Sequence, residues 1–222
     1  GNYEIIVVDN GSNDENSKKY VDKISKVNGK YIYEKMDFNF SKMCNIGAEN
    51  SQGKYILFLN DDIEVTDSKW LTEMVGYCQL PETGAKLLYP DTKNIQHCGV
   101  INIQNGPVHC FGNMPDGDYY FGMTSLPYNF SAVTGACLMI KKKDFCGFDE
   151  DFAVAYNDID LCFSLLEKGL YNLCLNNISL LHYESVSRGD DRKNEEKLLR
   201  LYRERMKLDN KYRNYISNDL YY

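Results

Sequence analysis

What the sequence lacks narrows the field first. No apolar stretch in its 222 residues approaches the roughly 20 that a membrane span needs. The opening residues carry no signal-peptide pattern. There is no basic excess: the net charge is −7, which argues against a nucleic-acid-binding surface, since that requires clustered positive charge. None of the eight cysteines (Cys44, Cys78, Cys98, Cys110, Cys137, Cys146, Cys162, Cys174) forms a CxxC pair. Most lie in apolar runs, so we expect reduced, buried thiols in a cytosolic protein rather than a zinc site or a disulfide framework. Internal repeats, low-complexity linkers and a glycine-rich basic phosphate loop near the start are all missing. With only three histidines, each one merits attention.

What remains is enough for one large domain or two small ones with a sizeable core. The stretch Tyr55 to Leu59 is almost wholly apolar and predicts a strand buried on both faces of a parallel sheet. It ends in Asn60-Asp61-Asp62. Adjacent carboxylates repel, and they make sense where a divalent cation, Mg2+ or Mn2+, lies between them and an anionic ligand. Ligands of open α/β sheets bind beyond the carboxyl ends of the strands, where this cluster falls. Taken alone, the pair also suits a solvated turn or a helix cap.

The rest of the chain is read around that strand. Tyr3 to Asp9 predicts another buried strand, and Asn10-Gly11-Ser12-Asn13-Asp14 a tight turn into a weak helix over 15–27. A strand over 30–34 follows, then a helix starting near Phe40 with Ser41 as its cap. A helix over 69–80 comes after the central strand. This alternation predicts a parallel, doubly wound sheet. Residues 85–130 read as short strands, among them 86–89 and 99–103, within a long irregular loop that shapes a binding site. Val133 to Ile140 predicts a buried strand, with Gly135 where a ligand approaches the backbone. Asn157 opens an amphipathic helix with Asp158 and Asp160 at its positive end, ended by Gly169. Two short strands over 170–175 and 178–182 and an amphipathic helix over 192–215, packed on the domain or on a partner, complete the chain.

Six segments in this order, Ile5-Ile-Val-Val-Asp-Asn-Gly-Ser12, Phe58-Leu-Asn-Asp-Asp-Ile-Glu64, Val133-Thr-Gly-Ala-Cys-Leu-Met-Ile140, Gly147-Phe-Asp-Glu150, Asn157-Asp-Ile-Asp-Leu161 and His182-Tyr-Glu-Ser-Val-Ser-Arg-Gly189, resemble the bacterial family 2 glycosyltransferases. These are inverting, nucleotide-sugar-dependent enzymes of the GT-A fold, and the likeness is greatest to the branch that builds O-antigens, rhamnans and similar surface polysaccharides. The resemblance implies an α/β, mostly parallel GT-A sheet flanked by helices. Its catalytic domain would cover 1–189, with a nucleotide-binding part over about 1–80 and an acceptor part over about 81–189, followed by a C-terminal helix and tail over 190–222.

The resemblance also implies roles. Asp9 would accept a hydrogen bond from the nucleotide base, with Asn10 and Ser12 beside it in the nucleotide site. Asp62 and His182 would hold Mn2+ or Mg2+, and Asn60 and Asp61 would occupy the other positions of the DXD motif, Asp61 by the ribose. Asp158 would be the general base, with Asn157 standing where the family has glutamate. Asp160 would only stabilise its helix. Gly135 would let the backbone pass close to the donor sugar or acceptor, and Arg188, with Ser185 and Ser187, would lie on a loop closing over the diphosphate. His97 and His109 are weaker candidates for sugar contact.

The implied donor is a UDP- or dTDP-linked sugar. The acceptor would be a glycan or lipid-linked hydroxyl, handled in the cytoplasm or at the inner face of the cytoplasmic membrane by peripheral association. Family members begin with one further strand, which leads us to expect an N-terminally truncated sheet. A non-catalytic nucleotide-sugar-binding module and a metal-dependent nucleotidyltransferase are the alternatives.

Overall fold

The computed structural model describes residues 2–12, 15–79, 82–103, 105–183, 194–216, 219 and 221. The chain begins with β1 (Ile5–Asp9), α1 (Glu15–Ser25), β2 (Gly29–Tyr33) and α2 (Phe40–Asn50). Next come β3 (Tyr55–Leu59), β4 (Ile63–Glu64), α3 (Trp70–Tyr77), β5 (Glu82–Leu88) and β6 (Ile95–His97). A hairpin of β7 (Val100–Ile103) and β8 (Gly106–His109) leads to β9 (Pro127–Phe130) and β10 (Cys137–Lys141). The chain then forms α4 (Asn157–Glu167), β11 (Asn172–His182), α5 (Glu195–Lys211) and α6 (Arg213–Ile216).

The main sheet runs β3-β10-β5-β11-β4, with β6 added to β5 and β9 to β11. Successive side chains of β10 divide between its faces, as the period of two requires. Leu138 and Ile140 enter a core shared with Phe58, Phe148, Phe152, Leu161 and Phe163, whereas Cys137 and Met139 pack with Met74, Leu87 and Leu180 under α3. Every residue of β5 is buried. Leu208 of α5 and Tyr212, the residue that caps its end, enter the first of these cores, so the helix packs on this chain's own domain.

The sheet is mixed, not mostly parallel. Among the described strands β5 and β11 run parallel, while β10 is antiparallel to both β3 and β5. An apolar run buried on both faces has the same pattern in either direction, so periodicity could not report this reversal. The two short strands expected near the end are one strand, β11, whose register shifts between Leu175 and Ser179. The cap of α2 is Asn39, whose side chain accepts from the Lys42 N–H. Ser41 is buried inside the helix and donates to the Phe152 carbonyl at 2.6 Å. The expected burial of β1 is also corrected: its apolar residues are half-buried or exposed, only Asp9 being buried, because β1 pairs with β2 alone among the described residues.

Candidate active site

Three strand ends converge. The Asn60 N–H, just past β3, donates to the Ala136 carbonyl at 2.9 Å, which ties the DXD segment to the entry of β10. Residue Ile63 of β4 pairs with His182, the last residue of β11, and the Tyr183 N–H donates to the Asp62 carbonyl at 3.0 Å. These backbone bonds place His182 Nε2 3.1 Å from Asp62 Oδ1 and 3.4 Å from Asn60 Nδ2. Asp61 is exposed beside them.

Asp62 Oδ1 is buried and takes no hydrogen bond, although His182 Nε2 lies so close. That orphaned oxygen fits a divalent cation. With metal–ligand distances near 2.1 Å, adjacent ligands of one ion sit about 3 Å apart. No group of three or more histidine, cysteine or acidic side chains is gathered for a metal among the described residues. Asp62 and His182 would therefore hold such an ion with help from ligand oxygens or water.

Asp158 is tied to Gly135, the residue before Ala136. The turn into α4 is unusual, with Tyr156 as N-cap in the left-handed region at φ 61°, and it delivers Asp158 in the helix's first turn. The Gly135 N–H donates to Asp158 Oδ2 at 2.9 Å and the Ile159 N–H to Oδ1 at 2.9 Å. Asn157 is buried, and its Oδ1 accepts from the Asp158 N–H at 2.8 Å. A Cβ on Gly135 would lie 3.4 Å from both Asp158 Cβ and the Phe40 ring, an ordinary van der Waals contact, so the close approach of Asp158 does not itself require glycine. Asp160 is buried and paired with Lys211 at 2.6 Å, a stabilising contact between α4 and α5.

Asp9 closes its own turn at the end of β1. Its Oδ1 accepts from the Gly11 and Ser12 N–H groups at 2.9 and 2.8 Å, and the Tyr31 hydroxyl donates to Oδ2. Burial opposes ionisation here, but these hydrogen bonds outweigh it and hold the carboxyl below its ordinary value. Asn10 Nδ2 donates to the Met36 carbonyl at 3.2 Å, securing the same turn. Arg188, Ser185 and Ser187 lie outside the described residues.

Other residues around this site were not singled out by sequence reasoning or were ranked low. Gln96 Oε1 lies 2.6 Å from His182 Nδ1; nothing in its local sequence distinguishes it. His97 is fully buried, accepts from the Thr134 N–H at 3.3 Å and meets His109 Nδ1 at 3.0 Å. Burial, then His109 and His182, push His97 well below the usual histidine value, so it is neutral. Glu82 is buried against Cys162, and burial above all, with the Asp158 charge, raises its carboxyl to about 8.

Together the mixed sheet, its flanking helices and the acidic strand end define an α/β protein of the GT-A glycosyltransferase fold. The family described as glycosyl transferase family 2 matches residues 1–148, and the chain belongs to it. It is 39% identical over 203 residues to the uncharacterised protein y4gI of Sinorhizobium fredii (strain NBRC 101917 / NGR234), covering 86% of this chain and 22% of that one. It is also 39% identical over 163 residues to the O-antigen biosynthesis protein RfbC of Myxococcus xanthus, covering 69% of this chain and 13% of RfbC. The chain thus spans less than a quarter of either relative. GalNAc-T7 crystallised with UDP, GalNAc and Mn2+ shares the fold at a TM-score of 0.70 and 15% identity, over 96% of this chain and 43% of that one. Among the described residues no helix is long and apolar enough to cross a membrane.

Proposed function

We propose that this chain is the catalytic unit of a metal-dependent, inverting glycosyltransferase. It moves a sugar from a UDP- or dTDP-linked donor to a hydroxyl of a growing bacterial surface glycan, free or lipid-linked, at the cytoplasmic side of the membrane. One observation carries this reading: Asp62 Oδ1 lies 3.1 Å from His182 Nε2, and the short segment before β10 links that pair's strand end to Asp158, since the Ala136 carbonyl accepts from the Asn60 N–H and the Gly135 N–H donates to Asp158 Oδ2. The y4gI and RfbC likenesses and the Mn2+ and UDP bound by GalNAc-T7 support it.

Inversion is a single in-line displacement, so the base and the departing diphosphate lie on opposite faces of the sugar. Asp158 removes the acceptor hydroxyl proton as that oxygen bonds to the anomeric carbon, and the carbon–diphosphate bond breaks with its electron pair on the diphosphate. The Gly135 and Ile159 N–H groups fix the carboxylate for that transfer while leaving it partly exposed to the acceptor. Asp62 and His182 would hold a divalent cation, which would supply positive charge to offset that developing on the diphosphate. Asn60 and Asp61 border the donor phosphates and ribose. Asp9, Asn10 and Ser12 form the base-recognition turn, in which the uracil or thymine edge shares Asp9 with Tyr31 or displaces it. Arg188 neutralises diphosphate charge.

Calorimetry with UDP and with dTDP, each with and without Mn2+, tests the donor site: metal-dependent binding that Asp62→Ala abolishes is the expected result. No binding of either nucleotide would remove the reading. Asp158→Asn separates an enzyme from a binding module, since only the enzyme loses transfer while donor affinity persists.

A further inference from the structure

Gln96 lies on β6, a strand bonded to the fully buried β5 through the pairs Leu87–His97 and Leu88–Ile95. It is buried and holds His182 from behind. Its Oε1 is 2.6 Å from His182 Nδ1, and its Nε2 is 3.5 Å from the His182 carbonyl oxygen. Only the amide nitrogen can donate to a carbonyl, so the amide is oriented with its oxygen toward the ring, and that oxygen can only accept. A neutral His182 therefore carries its proton on Nδ1 and presents a lone pair at Nε2. The same Nε2 faces Asp62 Oδ1 at 3.1 Å and lies 3.4 Å from the amide Asn60 Nδ2.

We propose that Gln96 is a positioning residue that fixes the Nδ1–H tautomer of His182, keeping Nε2 open as a ligand for a divalent cation shared with Asp62. The role rests on the reading of Asp62 and His182 as a cation site. A partner on the far nitrogen of a ligating histidine sets ring orientation and tautomer, and losing it weakens metal binding about 10- to 100-fold. A strand pinned to the centre of the sheet suits that task, because the amide cannot drift away from the ring.

The test uses the full chain labelled with 15N in histidine. Long-range 1H–15N NMR at mildly alkaline pH, without metal, reads each tautomer, and His182 is assigned by the signal lost in His182→Gln. Mn2+ affinity is measured separately by electron paramagnetic resonance. The unmodified chain should show His182 with its proton on Nδ1. Gln96→Leu should move that proton toward Nε2 and weaken Mn2+ binding about 10- to 100-fold, whereas Gln96→Glu, which retains an acceptor, should preserve both properties. A proton on Nε2 in the unmodified chain overturns the proposal, whether or not the leucine variant folds. Mn2+ binding unchanged in a folded Gln96→Leu protein overturns the role of Gln96 alone. Failure of the unmodified chain to bind Mn2+ overturns the cation reading, and the positioning role falls with it.

Discussion

Asp158 and Asp9 are both aspartates held by backbone N–H groups, yet they rest on different foundations. Asp158 receives one N–H from its own helix and one from Gly135, at the entry to a strand hydrogen-bonded on both edges. Its carboxylate keeps an exposed side. Asp9 ends a strand paired on one edge, takes two N–H groups and a tyrosine hydroxyl, and is buried. An aspartate serving chemistry needs a fixed position and an open lone pair. Asp158 takes one N–H on each oxygen and is partly exposed, whereas Asp9 takes two N–H groups on one oxygen and the Tyr31 hydroxyl on the other.

The largest effect expected from breaking this contrast is on Asp158. Replacing it with Asn should lower transfer by about 10²- to 10⁴-fold, the usual contribution of a general base, with donor binding unchanged by calorimetry. The matching Asp9→Asn change should act mainly on donor affinity, as a rise in KM.

Stability should divide the two regions as well. Leu161→Ala, in the fully packed core beneath α4, should cost about 2–5 kcal/mol in denaturant unfolding. Val7→Ala on the half-buried β1 should cost about 1 kcal/mol or less, because little apolar area is lost.

A pH series sharpens the comparison. Glu82 has a raised folded value of about 8, so the folded state binds its proton more tightly than the unfolded chain does. Its contribution is complete below the ordinary glutamate value and is lost as pH rises toward 8. Glu82→Gln should therefore flatten the decline of Tm between about pH 5 and pH 8. Asp9 has the opposite sign. Its depressed value gives stability that is present at neutral pH and lost as pH falls below the ordinary aspartate range. Tyr31→Phe should cost about 1 kcal/mol at neutral pH and shrink that acid-side loss.

Strand β3, its acidic end and the α4 start were legible because each is a local pattern: an apolar run, adjacent carboxylates, and acidic residues in a helix's first turn. But β3 is not the central, doubly buried strand expected, since it ends the order of the described sheet and leaves Leu59 exposed. Lys211 gives Asp160 a structural partner, but that partner lies 51 residues away and no local rule reveals it. Gln96 was invisible for the same reason, its partner His182 being 86 residues distant. The turn that Asp9 closes is readable locally, whereas the tyrosine that donates to its carboxylate comes from the next strand.

By itself the sequence determined the family, the order of the elements and which residues can ionise or coordinate, since these follow from composition, periodicity and motif. Strand direction, the reversal of β10 between β3 and β5, the partners of each carboxylate and the orientation of the His182 ring were decided only by the tertiary structure. Apolar burial rewards any direction of a strand, but hydrogen bonds are directional and short-ranged, so donor and acceptor meet only once the whole chain is in place.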